Sequence, residues 1–336
     1  MNNLAVYVGL DYHQSGVQVC VLDRQGKALA NKMCANNWQA VVQAVEAHGT
    51  VTRAAIESCS GAADFAEELI NHAEWNVDLA HPGYVSRMRQ NPDKTDYSDA
   101  RMLADLERVG YLPKVWLAPE TVRELRVLVR YRLQQVAQRR NAKLRIGAIL
   151  REQRLKYTAH GRWSLPWLWW LNNQAALSEQ GRWVVDQHLK ELEYRGGKIA
   201  ETEKQLAKVC RDDPLIQRLM QIAGIGKVTA WMFRAEVGRF DRFGNGKQLA
   251  RFCGLTPRNA SSGMRQADAG LIHAANKDLR TIVMEAAHRL IRTDNHWNQL
   301  ALRLRARGKA PSVIVAAVAN RWVRWLFNEV QRPCAA

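Results

Sequence analysis

The 336-residue sequence has no Cys-x-x-Cys pair. Its six cysteines (Cys20, Cys34, Cys59, Cys210, Cys253 and Cys334) are scattered, and none has a histidine nearby at ligand spacing. This speaks against a zinc site and suits reduced thiols in a cytosol. Long apolar runs are also missing, since no stretch reaches the roughly 18 residues of a membrane helix. The opening MNNLAVYVGLDYH lacks the basic region and apolar core of a secretory leader, so a soluble, cytoplasmic protein without a membrane partner is expected. Acids are scarce. Against 49 Lys and Arg stand 32 Asp and Glu, a formal net charge of +17. That excess predicts a polyanionic partner, because each phosphate neutralised releases counterions and adds affinity. The plainer alternative is a merely soluble basic protein.

What is present fits a globular chain of two domains with a helical connector, 47% hydrophobic and 24% charged. The first 110 or so residues read as α/β. LAVYVGLD is a strand ending at Asp11, with GVQVCVLD and GKALANKMC as hairpin partners about a turn at Asp23 to Gly26. VTRAAIES ends a strand at Glu57, AADFAEELINHA is an amphipathic helix, WNVDLAHP a strand stopped by Pro82, and YSDARMLADLERVG a helix.

From about residue 119 a long helical pattern carries Leu125, Leu128, Val129, Leu133 and Val136 along one stripe. Its other faces are basic, and Arg130, Arg139 and Arg140 read as nucleic-acid contacts in preference to a plainly solvated face. A tryptophan-rich interruption, GRWSLPWLWWLNNQ, precedes a second long helix ending near Cys210. Two such helices predict a hairpin or coiled coil that braces domains or pairs subunits. The tryptophans are expected in a core or interface rather than stacked on RNA bases. A mainly helical region follows. The fold class is thus α/β plus α, divided as 1–118, 119–212 and 213–336.

Three constellations carry chemistry. Asp11 and Glu57 at strand ends, with Asp96 and Asp99 three apart at a helix start, form a set of hard oxygen donors suited to Mg²⁺ or Mn²⁺. Two such ions can hold the attacking and leaving oxygens of a phosphodiester, as in a ribonuclease-H-like nuclease core. The plainer reading makes Asp96 a helix cap and Asp99 a dipole partner. In AGIGK, Gly224, Gly226 and Lys227 fit a helix-hairpin-helix turn that brings backbone N–H groups and one charge to a phosphate. In GLTPRNASSGMRQ, a serine before a glycine lies between Arg258 and Arg265, and composition alone favours an ordinary Ser/Gly turn over a nucleophile.

Taken in order, GLD with its hairpin, ES at a strand end, KTDYSDA, GIGKVTA and CGLTPRNASSG…HAANKDLR resemble the DEDD transposases of insertion sequences that carry a bridge RNA, a group that includes the Piv-type invertases. The resemblance implies a RuvC-like domain, a coiled-coil segment and a C-terminal transposase domain. By similarity Asp11, Glu57, Asp96 and Asp99 would bind metal, and Ser262, rather than Ser261, would be the nucleophile. It also implies recombination of donor and target double-stranded DNA, chosen by a structured non-coding RNA. The protein would act as a homodimer or tetramer, bacterial and nucleoid-associated when active. On charge alone, and not from the resemblance, Arg258, Arg265 and Lys277 are expected to help hold phosphates. One departure is YHQSG after Asp11, where family members often have a small residue and then lysine; His13 either replaces that contact or caps the turn, and the cap is the favoured expectation. Two rivals are a junction-resolving nuclease that hydrolyses with water and a binding protein that has lost catalysis.

Overall fold

The computed structural model describes residues 4–88, 95–259 and 268–332, and the chain separates into two compact units, Met1–Glu120 and Thr121–Ala336. The regions 119–212 and 213–336 distinguished in the sequence therefore both lie almost wholly in the second unit.

The first unit runs β1 (Ala5–His13), β2 (Gly16–Leu22), β3 (Ala28–Cys34), α1 (Trp38–Glu46), β4 (Thr50–Glu57), α2 (Ala62–Ala73), β5 (Val77–Ala80), α3 (Pro82–Met88), α4 (Asp96–Arg108) and β6 (Lys114–Val115). The sheet order is β3-β2-β1-β4-β5-β6. β1, β2 and β3 pair antiparallel, whereas β4 lies parallel to β1 and β5 parallel to β4. Strand alternation sends Val6, Val8 and Leu10 of β1 into a core with Phe65 and Leu69 of α2 and Val41 and Val45 of α1. The intervening Gly9 takes the opposite face, against α4.

How α4 is fixed matters for everything that follows. A Cβ built on Gly9 would lie 1.9 Å from the Ala100 carbonyl oxygen and 2.5 Å from the Ala104 nitrogen. Only a glycine allows so close an approach of strand to helix. Ala100 and Ala104 pack with Cys20 and Leu22 of β2 to seal the contact. The C-terminal end of α4 is tied down by charge. Lys114 Nζ lies 3.0 Å from Glu107 Oε1 and 2.6 Å from Asp78 Oδ2, and Arg53 Nη1 is 2.8 Å from the same Asp78 oxygen. Burial raises the Glu107 carboxyl above the usual glutamate range, against the pull of Lys114.

The second unit begins with α5 (Glu120–Glu152), α6 (Leu165–Asn173) and α7 (Glu179–Val209). Arg132 meets Glu203, Gln135 meets Arg195 and Gln153 meets Ser178, so α5 and α7 run antiparallel. The unit continues with α8 (Pro214–Met220), α9 (Lys227–Met232), a wider π turn at Phe233–Val237, α10 (Gly246–Phe252), the β7 (Pro257–Asn259) and β8 (Asp268–Leu271) hairpin, α11 (Lys277–Thr293), α12 (Asn295–Ala306) and α13 (Pro311–Gln331). Leu125 and Val129 of α5 and Leu206 of α7 join the large core built around Phe233, Leu279 and Trp322. The other end of the hairpin has its own small core of Ile146, Leu150, Trp167, Leu171, Ala175 and Val185. Trp167 is thus a core residue, as expected, whereas Trp169 and Trp183 are exposed. No helix among the described residues is long and apolar enough to cross a membrane.

Candidate active site

Asp11 follows Gly9 by two residues on β1, hence on the α4 face. From the Gly9 contact at Ala100, one helical turn back reaches Asp96. A step of two residues on the strand and a turn on the helix are nearly equal, about 6.6 and 5.4 Å. The tight glycine contact therefore delivers Asp11 to the first turn of α4, where Asp96 and Asp99 project. Glu57 ends the parallel neighbour β4, one residue past the Leu10–Ile56 pair, which puts it beside Asp11 in register.

The start of α4 is defined by Thr95, whose hydroxyl accepts from the Ser98 backbone N–H while the Ser98 side chain reciprocates. Thr95 is therefore the cap. The plainer reading of Asp96 as a helix cap does not hold, although both aspartates do enjoy the positive end of the helix.

Electrostatics show the crowding. Burial is the main reason the Asp11 carboxyl titrates above the ordinary aspartate range; Asp99 and Asp96 push the same way and His13 opposes them. Asp99 is buried. The Cys59 thiol is likewise pushed up, first by burial and then by the charges of Glu57 and Asp11, which locates both carboxylates beside it.

His13 is the residue that sequence reasoning misplaced. Its Nε2 lies 3.3 Å from Asp11 Oδ2 and 3.4 Å from Asp96 Oδ1, so the ring faces the carboxylates rather than capping the turn. Ligand atoms of Asp11, His13 and Asp96 all fall within 4.8 Å of one another, a spacing that one cation can span. The signal was position alone: two residues after Asp11 on the same strand, His13 shares its face. The donor set of hard oxygens plus one imidazole fits a divalent metal.

Other sequence-derived sites fare unevenly. Gly224 and Gly226 do form the turn between α8 and α9, Gly224 with a positive φ of 87°. A cavity of about 630 Å³ opens beside them, flanked by Arg289 and Arg292 of α11, which the sequence reading had not singled out. Lys227, Arg258 and Lys277 are exposed. Ser261, Ser262 and Arg265 lie outside the described residues.

Arg139 is half-buried and Arg140 exposed, but Arg130 is already engaged. Its Nε and Nη2 donate to the two carboxylate oxygens of buried Glu236 at 2.9 and 3.1 Å. Asn276, the cap of α11, donates to Glu236 as well at 2.8 Å. A bidentate partner of this kind holds α5 to the π turn and to α11, which is a structural role. Arg130→Ala is accordingly expected to destabilise the second unit by about 1–3 kcal/mol. Denaturant unfolding followed by far-UV circular dichroism checks this; unchanged stability with weakened DNA binding would return Arg130 to the nucleic-acid surface.

Comparison with known proteins agrees with this geometry. Residues 8–154, which span the carboxylate cluster, match a transposase family model of the DEDD type from IS110 elements. Residues 216–301 match the model of the transposase IS116/IS110/IS902 family. The transposase for insertion sequence element IS1111A of Coxiella burnetii is 25% identical over 326 residues, covering 95% of this chain and 88% of the relative. The transposase for insertion sequence element IS1328 of Yersinia enterocolitica is 26% identical over 246 residues, 69% of each chain. An acidic cluster at the C-terminal ends of the central strands β1 and β4, inside one matched region, and a second matched region within the helical unit place this chain in the IS110 family of DEDD transposases, enzymes of insertion elements that cut and join DNA.

Proposed function

We propose that the protein is an RNA-guided recombinase that cuts and rejoins donor and target DNA through a phosphoserine intermediate. The observation that carries the metal half of this reading is the convergence of Asp11, Asp96 and His13, with Asp99 and Glu57 adjoining. The strand order supports a ribonuclease-H or RuvC-like domain, and the antiparallel α5–α7 pair supports a coiled-coil connector. On this reading the chain divides functionally as 1–118, 119–212 and 213–336. It works as a homodimer or tetramer with a bridge RNA.

Asp11, Glu57, Asp96 and Asp99 would hold Mg²⁺ or Mn²⁺. When bound, the metal withdraws charge from the scissile phosphate. The protein's own groups do the rest. The first turn of α4 carries Asp96 and Asp99 and presents them to the site. His13 steadies Asp11 and Asp96 by standing between them. The Ser262 hydroxyl attacks phosphorus, the P–O3′ bond breaks, and a phosphoserine and a free 3′-hydroxyl result. Rejoining reverses the step, with a 3′-hydroxyl attacking the phosphoserine and releasing the serine. Arg258, Arg265, Lys277 and the Gly224–Lys227 turn would hold phosphates.

A covalent-trapping experiment tests this. Protein, element-derived RNA, Mg²⁺ and labelled donor and target DNA are combined and resolved on a denaturing protein gel. A DNA-linked band is expected that disappears in Ser262→Ala and without RNA. Cleaved DNA with no protein attached, unaffected by Ser262→Ala, would make the enzyme a hydrolytic nuclease instead.

A further inference from the structure

At the end of the α5–α7 hairpin remote from the large core, a cavity of about 600 Å³ opens between the last turn of α5, the connection that follows it and α6. Its volume is within the range of small-ligand pockets, about 300–1,000 Å³. Four cations line it, Arg151, Arg154, Lys156 and Arg162, and no acid does. All four are exposed, and none is paired with an acid among the described residues. The Nη1 atoms of Arg151 and Arg162 both lie 3.6 Å from the point a Cβ would occupy on Gly147. Two guanidinium groups gathered over one glycine repel each other unless an anion lies between them.

The remaining wall is aromatic. Tyr157 stacks on Trp170 with ring centroids 5.2 Å apart and planes 27° from parallel. Trp167, buried behind them, is 6.2 Å from Trp170 and fixes its place. Phosphate-seeking charge next to flat aromatic faces is the combination that grips a nucleotide by both its ends. A base must be unpaired and unstacked to present its face to such a wall, so a duplex is excluded as the occupant. The charge also continues past the cavity: residues 139–178 hold eight Lys and Arg against one acid, Glu152. A strand rather than a free nucleotide uses that continuation.

We propose that this pocket binds unpaired nucleotides of a single-stranded nucleic acid, with Tyr157 and Trp170 taking a base and Arg151 and Arg162 its phosphate. The proposal is independent of the carboxylate site and of Ser262, and its failure would leave them untouched. RNA and displaced DNA share the required chemistry.

Photo-crosslinking of the full-length protein distinguishes them. A 12-nucleotide oligouridine RNA with one 4-thiouridine and a 12-nucleotide oligothymidine DNA with one 4-thiothymidine are irradiated with it, and adducts are mapped by mass spectrometry. Adducts in the peptide holding Tyr157 and Trp170 are expected, with RNA, DNA or both identifying the source. Affinity read by fluorescence anisotropy is expected to fall roughly tenfold in Tyr157→Leu, which keeps apolar packing but removes the ring face. The exposed pair Lys156→Gln with Arg162→Gln is expected to do the same and to flatten the salt dependence, with helicity unchanged. Adducts confined to other peptides, or competition by a duplex as effective as by the single strand, would overturn the proposal.

Discussion

Asp11→Asn is expected to abolish DNA cleavage while leaving the first unit as stable as before, or more so. The carboxyl titrates above the ordinary 3.8 of an aspartate because burial penalises its charge. In the pH interval above 3.8 and up to its raised value, the folded state therefore holds a proton that the unfolded chain has lost. The ionised group costs stability at neutral pH, and that cost fades as the pH falls through the raised value. Asparagine keeps the shape without the charge. In metal-free buffer at pH 7 the unfolding transition of the first unit should stay put or rise, and the gap between variant and wild type should close on acidification. Cleavage should fall by at least about a hundredfold, since even outer-shell partners of a metal ligand cost about ten- to a hundredfold. Strand cleavage on labelled donor DNA and thermal unfolding in EDTA provide the two readings. Near-normal cleavage would remove Asp11 from the site. A marked loss of stability would mean that its charge supports the fold.

Gly9→Ala should damage the same chemistry without touching a functional group. The added Cβ would meet backbone, the Ala100 oxygen at 1.9 Å and the Ala104 nitrogen at 2.5 Å, and neither can rotate away. Either α4 lifts from the sheet or β1 bends. Overpacking in a tight core costs about 1–3 kcal/mol, and contact with two backbone atoms puts this position at the upper end. Because Asp96 and Asp99 ride on α4, their separation from Asp11 changes with it, so divalent-metal affinity and cleavage should fall together even below the melting temperature. Isothermal titration with Mn²⁺ on the folded variant separates the two effects. Wild-type affinity would show that the carboxylates do not depend on this contact.

How far the sequence foretold these features depended on whether the cause was local. The helix Ala62–Ala73 and the turn at Asp23 to Gly26 were legible because amphipathic spacing and turn residues act within a few positions. Asp96 and Asp99 could be paired from the helical repeat, yet which residue caps α4 is settled by backbone conformation, and the structure gives that role to Thr95 rather than Asp96. Leu165–Asn173, a cluster of tryptophans, carried little helical signal, whereas Trp38–Glu46 has helical spacing through Val41, Ala44 and Val45 but a Val-rich run that also suits a strand. The β7–β8 hairpin is too short to stand out. His13 and Arg130 illustrate the non-local limit. His13 turns to Asp96, 83 positions away, and Arg130 to Glu236, 106 positions away, and no window along the chain contains both partners.

The α5–α7 hairpin joins two separate cores, the large one reached at Val129 and the small one entered at Ile146. At about 1.5 Å per residue those anchor points stand roughly 25 Å apart along one continuous helix. Such a helix behaves as a ruler with a phase. Removing one residue from each helix would shorten it by about 1.5 Å and turn the tip by about 100°, whereas removing seven would shorten it by about 10 Å and nearly restore the original heading. Natural variation in the length of this segment should therefore come in steps of whole turns, the increments that change reach while preserving aim.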